Sequence, residues 1–263
     1  MFNSNLETKI GEEFVENGFV IRQVANQDAF DRINDIFFHL IQKKIGFKIE
    51  DREHWFNNTH NSISVDELNT FRLDIINGIN ADPNFRLHYF NLARPYLELL
   101  VGNELAMQMR VNLSIQYPGD DSSLLPIHAD TWSGDSAFEV VVWTPLVDCF
   151  KTKSMFLLNP HNSVTINSEF TSINTNNSEE LFQAVKRNLS WLEIKRGQVL
   201  IFNQALPHGN RMNEELETRW SLNCRFKAVF TPYADKKLGE FFEPITLKPV
   251  SQFGLNYKLP KIK

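Results

Sequence analysis

The sequence predicts a mainly β protein with a helical N-terminal part, its strands forming a closed or two-sheet β core such as a jelly roll. Three observations carry this. Helical spacing of apolar residues dominates the first hundred positions. A strict period of two begins near Glu104, in ELAMQMRVNLSIQY. Further strand-like segments follow almost without intervening helices, which favours packed sheets over alternating β and α units. The expected layout is a helical scaffold over 1–103, a β core over 104–232, and a tail over 233–263 packed on the core.

Within the scaffold, Gly18 to Val24 reads as one early strand. Asn26 or Asp28 caps a helix whose apolar side holds Phe30, Ile33, Phe37, Leu40 and Ile41. Ser64 and Glu67 have the spacing of a capping box, ahead of Leu68, Phe71, Ile75 and Ile76. Another helix is expected from Pro83 towards Leu100, kinked or broken at Pro95.

In the core, Met107, Met109, Val111, Leu113 and Ile115 alternate with Gln108, Arg110, Asn112, Ser114 and Gln116, which predicts one long strand with an apolar and a polar face. Further strands are expected at Phe138 to Trp143, Ser154 to Leu158, Val199 to Asn203 and Arg219 to Phe230. A Ser-, Thr- and Asn-rich loop from Ser168 to Asn177 should precede a helix near Glu179 to Arg187.

Composition narrows the function classes. The chain has 263 residues, of which 42% are hydrophobic and 22% charged, so a sizeable core is available. A net charge of -5 lacks the basic footprint of a nucleic-acid binder. No signal peptide and no membrane-length apolar stretch is visible, so a cytoplasmic protein with a small-molecule substrate is expected. Cys149 and Cys224 make no disulfide framework or C-x-x-C motif and read as reduced, buried thiols.

The sharpest chemical signal is His128-Ala129-Asp130. In an extended segment, residues two apart point to the same side. His128 and Asp130 can therefore offer a nitrogen and an oxygen to one metal ion. His208, in the turn-like Leu206-Pro207-His208-Gly209-Asn210 after a strand, is the best third ligand. Two His and one carboxylate on one face leave positions of an octahedral iron(II) open to dioxygen and a bidentate oxo acid. His39, His54, His88 and His161 lack such a context and read as structural; His60 stays open as a substrate contact.

Arg219 lies eleven positions after His208 and shares a strand face with Ser221. A guanidinium binds a carboxylate through two parallel hydrogen bonds, and a neighbouring hydroxyl adds a third. This suits the distal carboxylate of 2-oxoglutarate. Arg110, Asn112 and Gln116 are candidates for cofactor or substrate contact, or else a solvated sheet face. Trp143 packs beside the cofactor or belongs to plain core. In the loop after the metal ligands, Trp132, Ser133 and Asp135 offer an apolar face and hydrogen bonds that suit a sugar ring; the bland alternative is that Trp132 packs the loop.

Several segments, in order, resemble the phytanoyl-CoA dioxygenase-like branch of the 2-oxoglutarate/iron(II) oxygenases. His128-Ala129-Asp130 resembles the family's H-x-D, and Trp143 to Asp148 the strand ending W-x-x-L-x-D. Gly197 to Phe202 resembles the strand before the distal histidine, His208 to Asn213 the H-G-S-x-x-N segment, and Arg219-Trp220-Ser221 the closing R-x-S. The resemblance covers roughly residues 111–230. Gln198 and Asn210 depart from it, standing where the family carries Asp and Ser; Asn210 is still expected to donate a hydrogen bond near the cofactor. It implies a double-stranded β-helix (jelly-roll, cupin-like) core and oxidation of a substrate C–H bond with 2-oxoglutarate as co-substrate. Asp130 implies hydroxylation or a related oxidation, since halogenating members carry a small residue there. A narrower similarity, to oxygenases of bacterial surface-carbohydrate clusters and aminoglycoside biosynthesis, implies a sugar-containing substrate. Two other readings compete: a jelly-roll carbohydrate- or metal-binding protein without turnover, and a cupin-type hydrolase or isomerase with a redox-inert metal.

Overall fold

The computed structural model describes residues 3–169 and 177–260. Five helices come first: α1 (Asn5–Asn17), α2 (Gln27–Ile45), α3 (Arg52–Asn57), α4 (Val65–Ala81) and α5 (Phe85–Leu100), with strand β1 (Phe19–Gln23) between the first two. Their starts follow local chemistry. Asn26 Oδ1 accepts from the Ala29 amide at 2.9 Å and opens α2. The Glu67 carboxylate takes the Ser64 amide at 3.2 Å and its hydroxyl at 2.7 Å, opening α4. Pro95 does not break α5, which runs through it to Leu100.

The strands form two antiparallel sheets. The larger has the order β1-β7-β4-β9-β2-β10, with β3 also paired to β9. Its members are β2 (Leu105–Gln108), β3 (Asn112–Gln116), β4 (Glu139–Pro145), β7 (Gln198–Asn203), β9 (Arg219–Ala228) and β10 (Phe242–Pro244). The smaller joins β6 (Leu189–Trp191), β5 (Phe156–Leu158) and β8 (His208–Gly209). This two-sheet core is the one expected, although helices hold more residues than strands. From the N-terminal block, β1 pairs with β7, and from the tail, β10 pairs with β2.

The long strand expected from Glu104 is two strands. Met107 pairs with Phe226, and Asn112 with Asn223, so Gln108 to Val111 oppose only Cys224 and Arg225. That is a bulge. Asn80 of α4 satisfies its loose backbone, accepting from the Val111 amide at 2.8 Å and donating to its carbonyl at 2.9 Å. Arg110 consequently leaves the polar row and donates to Asn77 Oδ1 at 2.9 Å. The segment Ser168 to Asn177 begins inside a helix, α6 (Pro160–Glu169), that the sequence did not suggest, and most of the expected loop falls at 170–176, outside the described residues. The expected next helix is α7 (Ser178–Val185), and α8 (Pro249–Asn256) lies in the tail.

Strand β9 positions the chemistry. On one face, Trp220, Leu222, Cys224 and Phe226 are fully buried. Trp220 meets Phe37, Trp55, Phe56 and Phe71 at ring distances of 4.9–6.1 Å and donates to Thr59 Oγ1 at 2.9 Å. The helices thus anchor one side of the strand, and alternation sends Arg219, Ser221, Asn223 and Arg225 to the other.

Candidate active site

Those four side chains line a cavity of about 390 Å³ between the sheets, together with His128, Asp130 and His208. The volume suits small metabolites.

The two histidines are backbone partners. The His128 amide donates to the His208 carbonyl at 2.9 Å, and the reverse bond is 2.8 Å. Both rings therefore leave the backbone side by side, with centroids 4.5 Å apart. Gly209 permits this pairing, because a Cβ there would lie 2.6 Å from the Leu125 carbonyl oxygen. After Ala129 the chain turns into a short 3-10 helix, Asp130–Ser133, ended by Gly134 at φ +84°.

The donor set fits a metal ion. The ligand atoms of His128, Asp130 and His208 all lie within 4.8 Å of one another. Asp130 Oδ1 is 3.3 Å from His128 Nε2 and 3.8 Å from His208 Nε2. Each Nδ1 faces a backbone carbonyl, Pro126 at 2.7 Å and Leu206 at 2.8 Å. A carbonyl only accepts, so each Nδ1 carries a proton, and in the neutral form of each ring Nε2 keeps the lone pair that would ligate.

Electrostatics agree. Burial, then the neighbouring His128, push His208 down to about 4, so it stays neutral. Burial opposes protonation of His128, but the hydrogen bonds to Asp130 and the Pro126 carbonyl outweigh it and raise its pKa. Burial pulls Asp130 upward, yet His128 and Arg225 hold its carboxyl well below the usual range.

Arg225 escaped the sequence reading as a site residue. Its Nη2 donates to Asp130 Oδ2 at 2.8 Å and its Nε to Gln204 Oε1 at 2.9 Å. Asp135 stands 3.2 Å behind it, held in turn by Lys236 of the tail at 2.5 Å. One carboxylate oxygen of Asp130 is thus fixed by a guanidinium while the other faces the imidazoles. The available signal was strand alternation, since Arg225 shares a face with Arg219.

Arg219 is 2% exposed, and among the described residues no acidic side chain pairs with it. Nη1 donates to the Ser154 carbonyl and Nη2 to Ser114 Oγ, each at 3.1 Å. Its Nε and the Ser221 hydroxyl are buried without a partner. Burial pulls the guanidinium down to about 10. A buried cation without a counter-charge is costly, and a carboxylate would relieve it.

The other expected contacts divide. Asn112 lines the cavity and donates to Asn223 Oδ1 at 2.9 Å; Trp143 lines it too, 6% exposed. Asn210 lines it, but its Oδ1 takes the Leu125 amide at 2.6 Å, so it pins the loop beside His128. Gln116, Arg110, His60, Trp132, Ser133 and Asp135 are not among the lining residues. Gln116 donates to the Arg211 carbonyl at 2.6 Å, which ties down the chain beyond His208. His60 Nδ1 lies 2.8 Å from the Thr218 hydroxyl. Trp132 and Ser133 are turned outward by the 3-10 helix, and Asp135 is buried in its ion pairs. Arg72 of α4, which carried no sequence signal, does line the cavity.

No family model matches the chain, and no curated protein matches it in sequence. Solved structures do match in fold. The non-heme monooxygenase ThoJ in complex with nickel aligns with a TM-score of 0.52 at 14% identity, over 92% of this chain and 85% of that one. HygX from Streptomyces hygroscopicus, with nickel and 2-oxoglutarate bound, gives 0.51 at 13% identity over 88% and 89%. EctD from S. alaskensis, with 2-oxoglutarate and 5-hydroxyectoine, gives 0.56 at 14% identity over 89% and 80%. The chain therefore has the cupin-like jelly-roll fold of non-heme, 2-oxoglutarate-binding oxygenases.

Proposed function

We propose that this protein is an iron(II)- and 2-oxoglutarate-dependent oxygenase that hydroxylates, or otherwise oxidises, a small metabolite, sugar-like in size and polarity. The observation that carries this reading is the pairing, in one cavity, of a His-Asp-His cluster with a buried arginine that lacks an acid. A metal-binding or carbohydrate-binding jelly roll has no use for the second feature. The fold likeness to HygX and EctD, which hold 2-oxoglutarate, supports the same reading.

His128, Asp130 and His208 would hold the iron, with Arg225 fixing the free oxygen of Asp130. Arg219 and Ser221 would take the distal carboxylate through the donors now unpartnered. When bound, iron and 2-oxoglutarate activate dioxygen for C–H oxidation, giving succinate and carbon dioxide as co-products. The protein's share is positioning: it decides which C–H bond faces the metal. Asn112, Asn223 and Ser123 offer polar contacts and Trp143 an apolar wall, a combination suited to a hydroxylated ring.

The test is succinate release from 2-oxoglutarate by purified protein. It should require iron and oxygen and stop in Asp130→Ala. Equal turnover with zinc would instead support a redox-inert hydrolase or isomerase, and full turnover in Asp130→Ala would reject the ligand assignment.

A further inference from the structure

The ionisable residues lining the cavity are Arg72, Arg219, Arg225, Asp130, His128 and His208. Three are permanent cations and one is an acid, in a chain whose net charge is -5. The proposed cofactors do not correct the imbalance, because a divalent metal and a doubly charged oxo acid cancel. Asp130 offsets Arg225, and Asp135 is already offset by Lys236. Two positive charges stay in the cavity, on Arg219 and Arg72. With Arg219 set deep and engaged by the diacid, Arg72 adds the surplus charge.

Arg72 is half-buried on α4. Its Nη2 donates to Asn69 Oδ1 at 2.8 Å, which holds the guanidinium by a neutral partner from the preceding turn. Among the described residues no salt bridge engages Arg72. On the same helix Glu67 takes Ser64 and Asp74 pairs with Lys44 at 2.5 Å, and Asp120, next to the cavity, accepts from the Ser122 amide and hydroxyl. Ser122 and Ser123 line the same cavity.

We propose that the substrate is an anion, and that Arg72 is the specificity-determining residue that binds its acid group, a phosphate or a carboxylate. The inference rests on the oxygenase reading above and deepens it. It also excludes polycationic amino sugars, which the surplus charge repels.

The test uses full-length protein loaded with cobalt(II), a redox-inert stand-in for iron(II), and 2-oxoglutarate. Loading is measured first by calorimetry. Four probes on one ring scaffold are then titrated: glucose, glucosamine, glucuronate and glucose 6-phosphate. The expected result is binding of at least one acid at about tenfold or greater advantage over glucose, and no binding of glucosamine. A single charged hydrogen bond accounts for that factor. Preference between the two acids names the carboxylate or the phosphate. Arg72→Gln should erase the advantage, and Arg72→Lys should restore part of it. Binding of 2-oxoglutarate, which Arg219 carries, reports that the variants are folded. The proposal is overturned if neither acid binds, if glucose or glucosamine binds as well, or if Arg72→Gln keeps the preference. Failure of the wild type to take cobalt and 2-oxoglutarate would overturn the oxygenase reading and this inference with it.

Discussion

Arg225 Nη2 lies 2.8 Å from Asp130 Oδ2, on the side of the carboxylate away from the oxygen that faces His128 and His208. This leaves one oxygen of Asp130 for a metal and gives the other a fixed charged partner. Groups of this kind set ligand orientation, and their loss typically costs ten- to a hundredfold in metal affinity. Arg225→Gln is therefore expected to weaken cobalt(II) binding by about that factor, measured by calorimetric titration, while circular dichroism stays native.

Arg219 makes a prediction of opposite sign for stability and function. A buried, uncompensated cation disfavours the fold, so Arg219→Met should raise the melting temperature of the metal-free protein. The same variant should lose stabilisation by 2-oxoglutarate. At a hundred times its dissociation constant that ligand should stabilise the wild type by about 2.7 kcal/mol. Thermal unfolding with and without the diacid checks both halves.

The histidines titrate in opposite directions. His128 is raised and His208 lowered to about 4, so over the acid range one ligand holds a proton that a metal must displace. Metal affinity should fall about tenfold per pH unit below the pKa of His128 and level off above it. Without metal the signs differ. The raised His128 contributes stability present below the unfolded imidazole pKa and lost as pH rises through its folded value. The lowered His208 contributes stability present above the unfolded pKa and lost as pH falls towards 4. Cobalt(II) titrations across pH, with proton release recorded, test the first statement, and metal-free denaturation curves test the second.

Both cysteines should be inert. Burial pushes Cys149 and Cys224 up to about 12, so almost no thiolate exists at pH 8. Iodoacetamide should leave the folded protein unmodified and label both thiols after denaturation, read by mass spectrometry.

What the sequence made legible follows from range. His128 and Asp130 are two residues apart, and Arg219 and Ser221 share a strand face, so local geometry alone brings each pair together. The tie between His128 and His208 is a backbone pairing across eighty residues, suggested only by residue type and context. Arg225 shares the strand face of Arg219, but its partner Asp130 comes from a distant 3-10 turn. Arg72 sits on a helix about thirty residues before the core, and nothing local marks it. Arg110 was misplaced because the bulge held by Asn80 interrupts the alternation. Trp132 and Ser133 were misplaced because the chain turns into a 3-10 helix at Asp130. Asp135 is claimed by Lys236, a tail residue with no local signal.

The measurement closest to the central claim is an anaerobic titration of iron(II) into protein with 2-oxoglutarate, followed by visible absorption. Chelation of the oxo acid to iron should produce a charge-transfer band that saturates at one iron per chain and is absent in Asp130→Ala. Arg219→Met should demand far more 2-oxoglutarate to develop it. A wild-type protein that binds iron without the band, or a band that survives Asp130→Ala at full strength, would contradict the account.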